Sequence, residues 1–135
     1  MGKLEGKTAL IFGVSNDRSI GWGIAKAFHE EGAKLAFSYA LPMEKRIMPL
    51  AQELGVECVE PCDVTRDAEL DEVFAKVEAR LGTIDILVHA IAFANREDLM
   101  GRFVDTSREG FLLAHNVSVY SFVAVAHRAR KLMPN

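Results

Sequence analysis

An almost wholly apolar run, Thr8 to Phe12, stops at Gly13 and gives way to a polar loop, Ser15-Asn16-Asp17-Arg18-Ser19. A run of this kind predicts a strand buried on both faces, as in a parallel sheet. Gly21 and Gly23 follow, then Ile24, Ala27 and Phe28 at the spacing of one helical face. Strand, glycine-containing turn and helix start together can make a phosphate cradle. The first helical turn has N–H groups with no partner inside the helix, and the helix dipole favours an anion there. Gly13 permits a tight turn and close approach of a ligand. The motif G-x-G-x-x-G is absent, and so is G-x-x-x-x-G-K-S/T. From spacing alone, an ordinary strand-to-helix turn fits these residues as well as a phosphate site does.

The alternation continues to the end of the chain. Lys34 to Tyr39 reads as a second strand and Pro42 to Leu54 as a helix, with Pro42 in its first turn and Gly55 as its stop. Val56 to Glu60 reads as a third strand. After the turn Cys62-Asp63-Val64-Thr65, Thr65 is the expected N-cap of a helix over Asp67 to Leu81. In that helix Leu70, Val73, Phe74 and Val77 share one face, and Gly82 ends it. Ile84 to His89 reads as a fourth strand and Ala90 to Asp105 as a loop. Thr106-Ser107-Arg108-Glu109 fits a capping box, T-x-x-E, opening a helix that runs to about Met133. That helix is apolar over more than one stripe, so it needs two burial partners.

This order predicts an α/β fold with right-handed crossovers. The expected architecture is a Rossmann-like doubly wound parallel sheet, here the first four βα units, strand order 3-2-1-4, of a larger sheet. Residues 1–135 form a single, incomplete domain by this reading, with the fourth strand as a bare edge.

The bulk properties narrow the function. The net charge is -3 and the 16 basic residues are scattered, which argues against a nucleic-acid partner. No apolar run approaches the roughly 20 residues of a membrane span. The start, MGKLEGK, has no signal-peptide core, and Gly6 breaks a myristoylation pattern. A cytoplasmic location follows as the expectation. Cys58 and Cys62 are the only cysteines and the four histidines are dispersed, so reduced structural thiols are expected and no metal site.

Taken together, GVSNDRSIGWGIAKAFHEEGAKLAFSY, CDV, LVHAIAFANRE, GRFVDTSREGF and SVYSFV resemble the NADH-dependent enoyl-[acyl-carrier-protein] reductases of bacterial fatty-acid synthesis. These are a divergent branch of the short-chain dehydrogenase/reductases. The resemblance spans essentially all 135 residues and the first half of a family member. Commoner short-chain dehydrogenases carry T-G-x-x-x-G-x-G; counted from Gly13, its later glycines fall on Asp17 and Ser19, as in the reductase branch.

The resemblance implies a role for each matching residue. Gly13, Ser19 and Ile20 would meet the cofactor pyrophosphate. Asp63 and Val64 would contact the adenine, and Ala90, Ile91 and Ala92 would line the nicotinamide-side ribose. Phe93 and Ala94 would border the acyl pocket, with Leu99 nearby. The chain departs from the family at Ala90, where a serine is usual, at Asn95, where a proline is usual, and at Asn116, an aspartate in many members. The implied cofactor is NADH/NAD. NADPH is the less favoured form, because Ser38-Tyr39-Ala40-Leu41 offers no cation for a ribose phosphate. The implied partner is an enoyl substrate carried on acyl-carrier protein, and the implied assembly is a homotetramer.

The family's catalytic tyrosine and lysine come from a Tyr-x6-Lys element in the next helix. Here Tyr39 is followed seven residues on by Arg46 and Tyr120 by His127, so no catalytic residue is assigned. Tyr39 is expected beside the adenosine, Tyr120 and Trp22 in packing, and His89 as a hydrogen-bonded core histidine. Asp85 is expected at a strand entry, and Glu97 and Asp98 in solvent. The alternatives are a non-catalytic truncated or engineered nucleotide-binding or self-associating module, or another short-chain dehydrogenase.

Overall fold

The computed structural model describes residues 2–134; Met1 and Asn135, the ends of the expected domain, lie outside the described residues. The elements are β1 (Thr8–Phe12), α1 (Ile20–Glu30), β2 (Lys34–Tyr39), α2 (Glu44–Glu53), β3 (Cys58–Pro61), α3 (Asp67–Leu81), β4 (Ile86–His89), α4 (Arg108–His115) and α5 (Ser121–Ala129). All strands are parallel and lie in the order β3-β2-β1-β4. β1 is central, with Phe12 level with Ser38 on one side and His89 on the other.

Alternation along β1 sorts its side chains to two cores. Leu10 and Phe12 face α3 and α5, where Phe74 stacks on Phe12 at 6.0 Å between ring centroids. Ala9 and Ile11 face α1 and α2, against Trp22, Ala25, Ile47 and Ala51. Both faces of the strand are therefore dry, which is why its sequence shows no polar alternation. β4 pairs only with β1 among the described residues, and its four residues are half-buried.

Element boundaries differ from the sequence expectations for local reasons. The second helix begins at Glu44, because Leu41–Met43 forms a 3-10 turn around Pro42. β3 starts at Cys58, since Gly55 takes a positive φ of 66° and the Val56 amide still bonds back to Ala51. β4 starts at Ile86, while Asp85 accepts the Thr8 amide at 2.9 Å and fixes the strand entry.

Thr65 is not the α3 cap: its amide and hydroxyl both bond to Asp63, leaving Arg66 at the cap position without a side-chain bond. The expected Thr106 cap shifts by one residue. Ser107 accepts the Gly110 amide at 3.0 Å, while Thr106 donates to the Phe103 carbonyl. Asp98 is not solvated either: one carboxylate oxygen lies 3.5 Å from the Ser107 amide and the other is buried over Gly110.

The last helix is continuous from Arg108 to Ala129 and stops short of Met133. Its middle, Asn116–Tyr120, is a π-helical turn. One face packs through Ser121, Ala124, Val125 and Ala129, and Arg128 ties it to α3 by bonding Asp71 at 2.8 Å. The second burial partner anticipated for it is absent from the described residues: Leu112, Val119, Phe122 and Val123 are all more than half exposed. Tyr120 is 57% exposed rather than packed. This helix is also long and apolar enough to cross a membrane by length and composition, contrary to the expectation that no segment is. The property has a plain source here, because the helix carries one core stripe and a second, uncovered apolar stripe.

Candidate functional site

A cleft of about 590 Å³ opens at the carboxyl ends of the strands. It lies where the strand order reverses, with β2 on one side of β1 and β4 on the other. Each strand contributes residues at or just past its carboxyl end: Gly13 and Val14 from β1, Tyr39 and Ala40 from β2, Cys62 to Val64 from β3, and Ala90 to Phe93 from β4.

Gly13 is required by geometry. Its φ is +108°, and a Cβ there would stand 2.1 Å from the Ala90 carbonyl oxygen. The turn thus holds two strand ends closer than any side chain permits. Gly21 supports it from the helix, since a Cβ there would stand 2.9 Å from the Gly13 carbonyl.

The start of α1 packs against this turn at Gly21. Ser19 is its N-cap, and its hydroxyl is fully engaged. It accepts from the Trp22 and Ser15 amides, each at 3.3 Å, and donates to the Asn16 carbonyl at 2.8 Å. One donor and two acceptor positions are all that a serine has. The amides of Ile20 and Gly21 have no protein partner among the described residues. Any anion at this turn would therefore meet backbone rather than the Ser19 hydroxyl.

On the β3 side, Asp63 accepts the Thr65 hydroxyl at 2.6 Å and the Thr65 amide at 3.0 Å. These bonds hold its carboxyl below the usual range, so it is an anion and an acceptor at neutral pH. Burial pushes the Cys62 thiol up to about 12. Cys62 is therefore an inert wall residue, and both cysteines are free and buried. Among the described residues no three His, Cys, Asp or Glu side chains converge as metal ligands would. Tyr39 is buried at the cleft edge and donates to Glu44 at 3.3 Å. Ser38 sits at the end of β2 with its hydroxyl buried and without a partner, and it too lines the cleft.

His89 ends β4 behind the cleft, with Nε2 2.7 Å from the Ser121 hydroxyl. The Ser121 hydroxyl donates its one proton to the Val117 carbonyl at 2.6 Å, so His89 must be the N–H donor at Nε2. Burial lowers its pKa from the ordinary 6.5. The unfolded chain therefore takes up a proton before the folded chain does as pH falls. The stability from neutral His89 is whole above pH 6.5 and is lost as pH drops toward the lower folded value. Urea titrations at pH 7.5 and 5.5 are expected to show a smaller loss of stability for a His89→Gln chain than for the parent.

Gly13, Asp63, Val64, Ala90, Ile91, Ala92 and Phe93 are thus brought together. Ser19, Ile20, Ala94 and Leu99 are not among the lining residues. The Ile20 side chain is 79% exposed, and Leu99 points outward from a 3-10 turn at Arg96–Leu99. The sequence left Ser38 and Val117 without a site role. Ser38 carried a signal, a hydroxyl in an otherwise apolar buried strand. Val117 carried none, because only the π-helical turn brings its helix to the wall.

Sheet order and cleft place the chain among the Rossmann-like α/β proteins that take a ligand at the strand-order switch point. Its sequence matches the enoyl-(acyl carrier protein) reductase family over residues 13–135. The chain belongs to that family. It is 53% identical over 133 residues to the Bacillus cereus enoyl-[acyl-carrier-protein] reductase [NADH] FabI, covering 96% of this chain and 52% of that protein. The Staphylococcus aureus enoyl-[acyl-carrier-protein] reductase [NADPH] FabI is 46% identical over 134 residues, covering 97% and 52%. The crystal structure of the Aquifex aeolicus enoyl-[acyl-carrier-protein] reductase (NADH) superposes with a TM-score of 0.93 at 49% identity, covering 96% of this chain and 57% of that one. The chain spans about half the length of the relatives it matches.

Proposed function

We propose that this chain supplies the dinucleotide-binding half of an enoyl-[acyl-carrier-protein] reductase of type II fatty-acid synthesis, with NADH as its cofactor. The observation that carries the proposal is the Gly13 turn, closed onto Ala90 at a distance that excludes any side chain and packed against the start of α1 at Gly21. The residues present fit a dinucleotide. The backbone cradle suits the pyrophosphate, the Asp63 carboxylate can accept from the adenine amino group, and the buried Ser38 hydroxyl lacks a partner that a ribose could provide. Ala90 to Ala92 would flank the nicotinamide ribose, and Phe93, Ala94 and Leu99 the acyl chain. Bound NADH supplies the hydride that reduces the trans-2-enoyl thioester.

NADH is favoured over NADPH by the charges at the end of β2. Among the described residues the only arginine in the cleft wall, Arg66, is paired with Glu69 at 3.1 Å. Lys45 and Arg46 line a separate shallow hollow with Arg18. Among the described residues no unpaired cation lines the cleft beside Ser38 and Tyr39, where a ribose 2′-phosphate would lie.

The 135 residues contain no Tyr-x6-Lys, so the chain by itself is expected to bind NADH without turning over a crotonyl thioester. Titration with NADH and NADPH, followed by NADH oxidation in the presence of crotonyl thioester, tests both parts. Absence of saturable NADH binding by folded chain sinks the proposal. Robust turnover sinks the assignment of no catalytic residue. A second reading is a non-catalytic nucleotide-binding or self-associating module. The uncovered apolar face of the last helix supports self-association, and with it the homo-oligomer expected of the family. A cytoplasmic setting accords with this chemistry.

A further inference from the structure

The π-helical turn Asn116–Tyr120 is joined by the Ser118 hydroxyl to the loop that follows β4, and Ser121, the first residue of α5, bonds to His89 at the end of β4. Ser118 accepts the Phe93 amide at 3.0 Å and donates to the Phe93 carbonyl at 3.2 Å. Both backbone groups of a loop residue are thus satisfied by one side chain 25 positions away in sequence. Ser121 takes the His89 ring at the other end of the same segment. Between these two ties run Ala90, Ile91 and Ala92, which with Phe93 form one wall of the cleft.

A π turn holds one more residue than an α turn, so it changes the angular phase of the helix on either side. The phase change is consequential here. α4 is set by its Ser107 cap and by Asp98 above it, and α5 is set by its packing on β4 and by Arg128 on α3. The extra residue lets both halves keep those positions while Ser118 and Ser121 both reach the segment from His89 to Phe93.

We propose that Ser118 is a positioning residue for the cleft: it fixes the backbone of Phe93 and with it the Ala90–Phe93 wall against which the nicotinamide end of the cofactor lies. The ligand part of this rests on the dinucleotide function proposed above; the backbone part does not. Ser118 touches neither cofactor nor reacting atoms and acts through the loop. Its loss leaves the two cores untouched, because the hydroxyl contributes nothing to either.

The test compares Ser118→Ala with Ser118→Thr in the 135-residue chain, with two readouts. Hydrogen exchange of the ligand-free chain, followed in a peptide covering residues 90–95, is expected to quicken about tenfold in the alanine variant, the equilibrium factor carried by hydrogen bonds of ordinary net strength. Exchange within residues 121–129 should be unchanged, and the threonine variant should stay near the parent. The dissociation constant for NADH is expected to rise about tenfold in the alanine variant and to recover with threonine, while the unfolding equilibrium shifts by no more than about the same tenfold factor. Unchanged exchange at residues 90–95 overturns the proposal. Faster exchange with unaltered NADH affinity overturns its positioning role, leaving Ser118 a merely local tie. If the parent chain binds no NADH, the dinucleotide function fails, and the exchange experiment still decides whether Ser118 fixes the loop.

Discussion

A Gly13→Val chain is expected to lose saturable NADH binding and to unfold well before the parent. Two costs coincide at this residue. The φ of +108° is one that a β-branched side chain rarely adopts, and the new Cβ would stand 2.1 Å from the Ala90 oxygen and 2.6 Å from its carbonyl carbon. Neither atom belongs to a flexible side chain, so relief requires β1 and β4 to move apart at their carboxyl ends. Backbone strain and the forced shift together are worth about 3 kcal/mol or more. Separation of these strand ends would also pull the turn away from the amides of α1, so binding fails even in chain that remains folded. Fluorescence titration with NADH, paired with a thermal melt, separates the two effects. A milder Gly23→Ala change serves as the control, because a Cβ at Gly23 meets nothing within 4 Å. A valine variant that binds NADH as the parent does would remove the Gly13 turn from the site.

Truncating Phe12 to alanine is expected to cost about 3–5 kcal/mol of folding stability, read as a fall in the urea midpoint at unchanged slope. Phe12 is 1% exposed at the end of the central strand, with Phe74 of α3 stacked on it. Its removal leaves a void beneath the cleft that the paired strands cannot close, because β1 is hydrogen-bonded on both sides. A typical domain has only about 5–15 kcal/mol in hand. This sheet also ends on a half-buried β4, so the loss takes a large share. A shift below about 1 kcal/mol would mean that the α3 side of the core repacks freely, contrary to the close packing expected of interiors.

The alternation of apolar runs and helical patterns was enough to order the strands, because parallel strands covered on both faces must be apolar and right-handed crossovers leave few topologies. Gly13 was legible for the same kind of reason: a glycine directly after a buried strand marks a turn. Caps were less legible. Thr65 and Thr106 have the right chemistry in the right places, yet their hydroxyls bond to Asp63 and the Phe103 carbonyl. Sequence spacing cannot rank such competing local hydrogen bonds. The Ser19 hydroxyl shows the same limit within the site, since its three bonds to the loop and helix leave nothing for a ligand.

What the sequence determined by itself is therefore the layer order, the strand at the centre, the place of the glycine turn and the family. These depend on periodicity and on short-range residue chemistry. The tertiary structure alone decided the tautomer of His89, the unpartnered Ser38 hydroxyl, the depth of Asp98 and the tie from Ser118 to Phe93. None of these is local: Asp98 meets Ser107 nine residues on, Phe93 meets Ser118 25 residues on, and His89 meets Ser121 32 residues on. The π turn that places Val117 and Ser118 is the clearest instance. It follows from two helix halves each docked by contacts of its own, and no local pattern in Asn116 to Tyr120 carries that information.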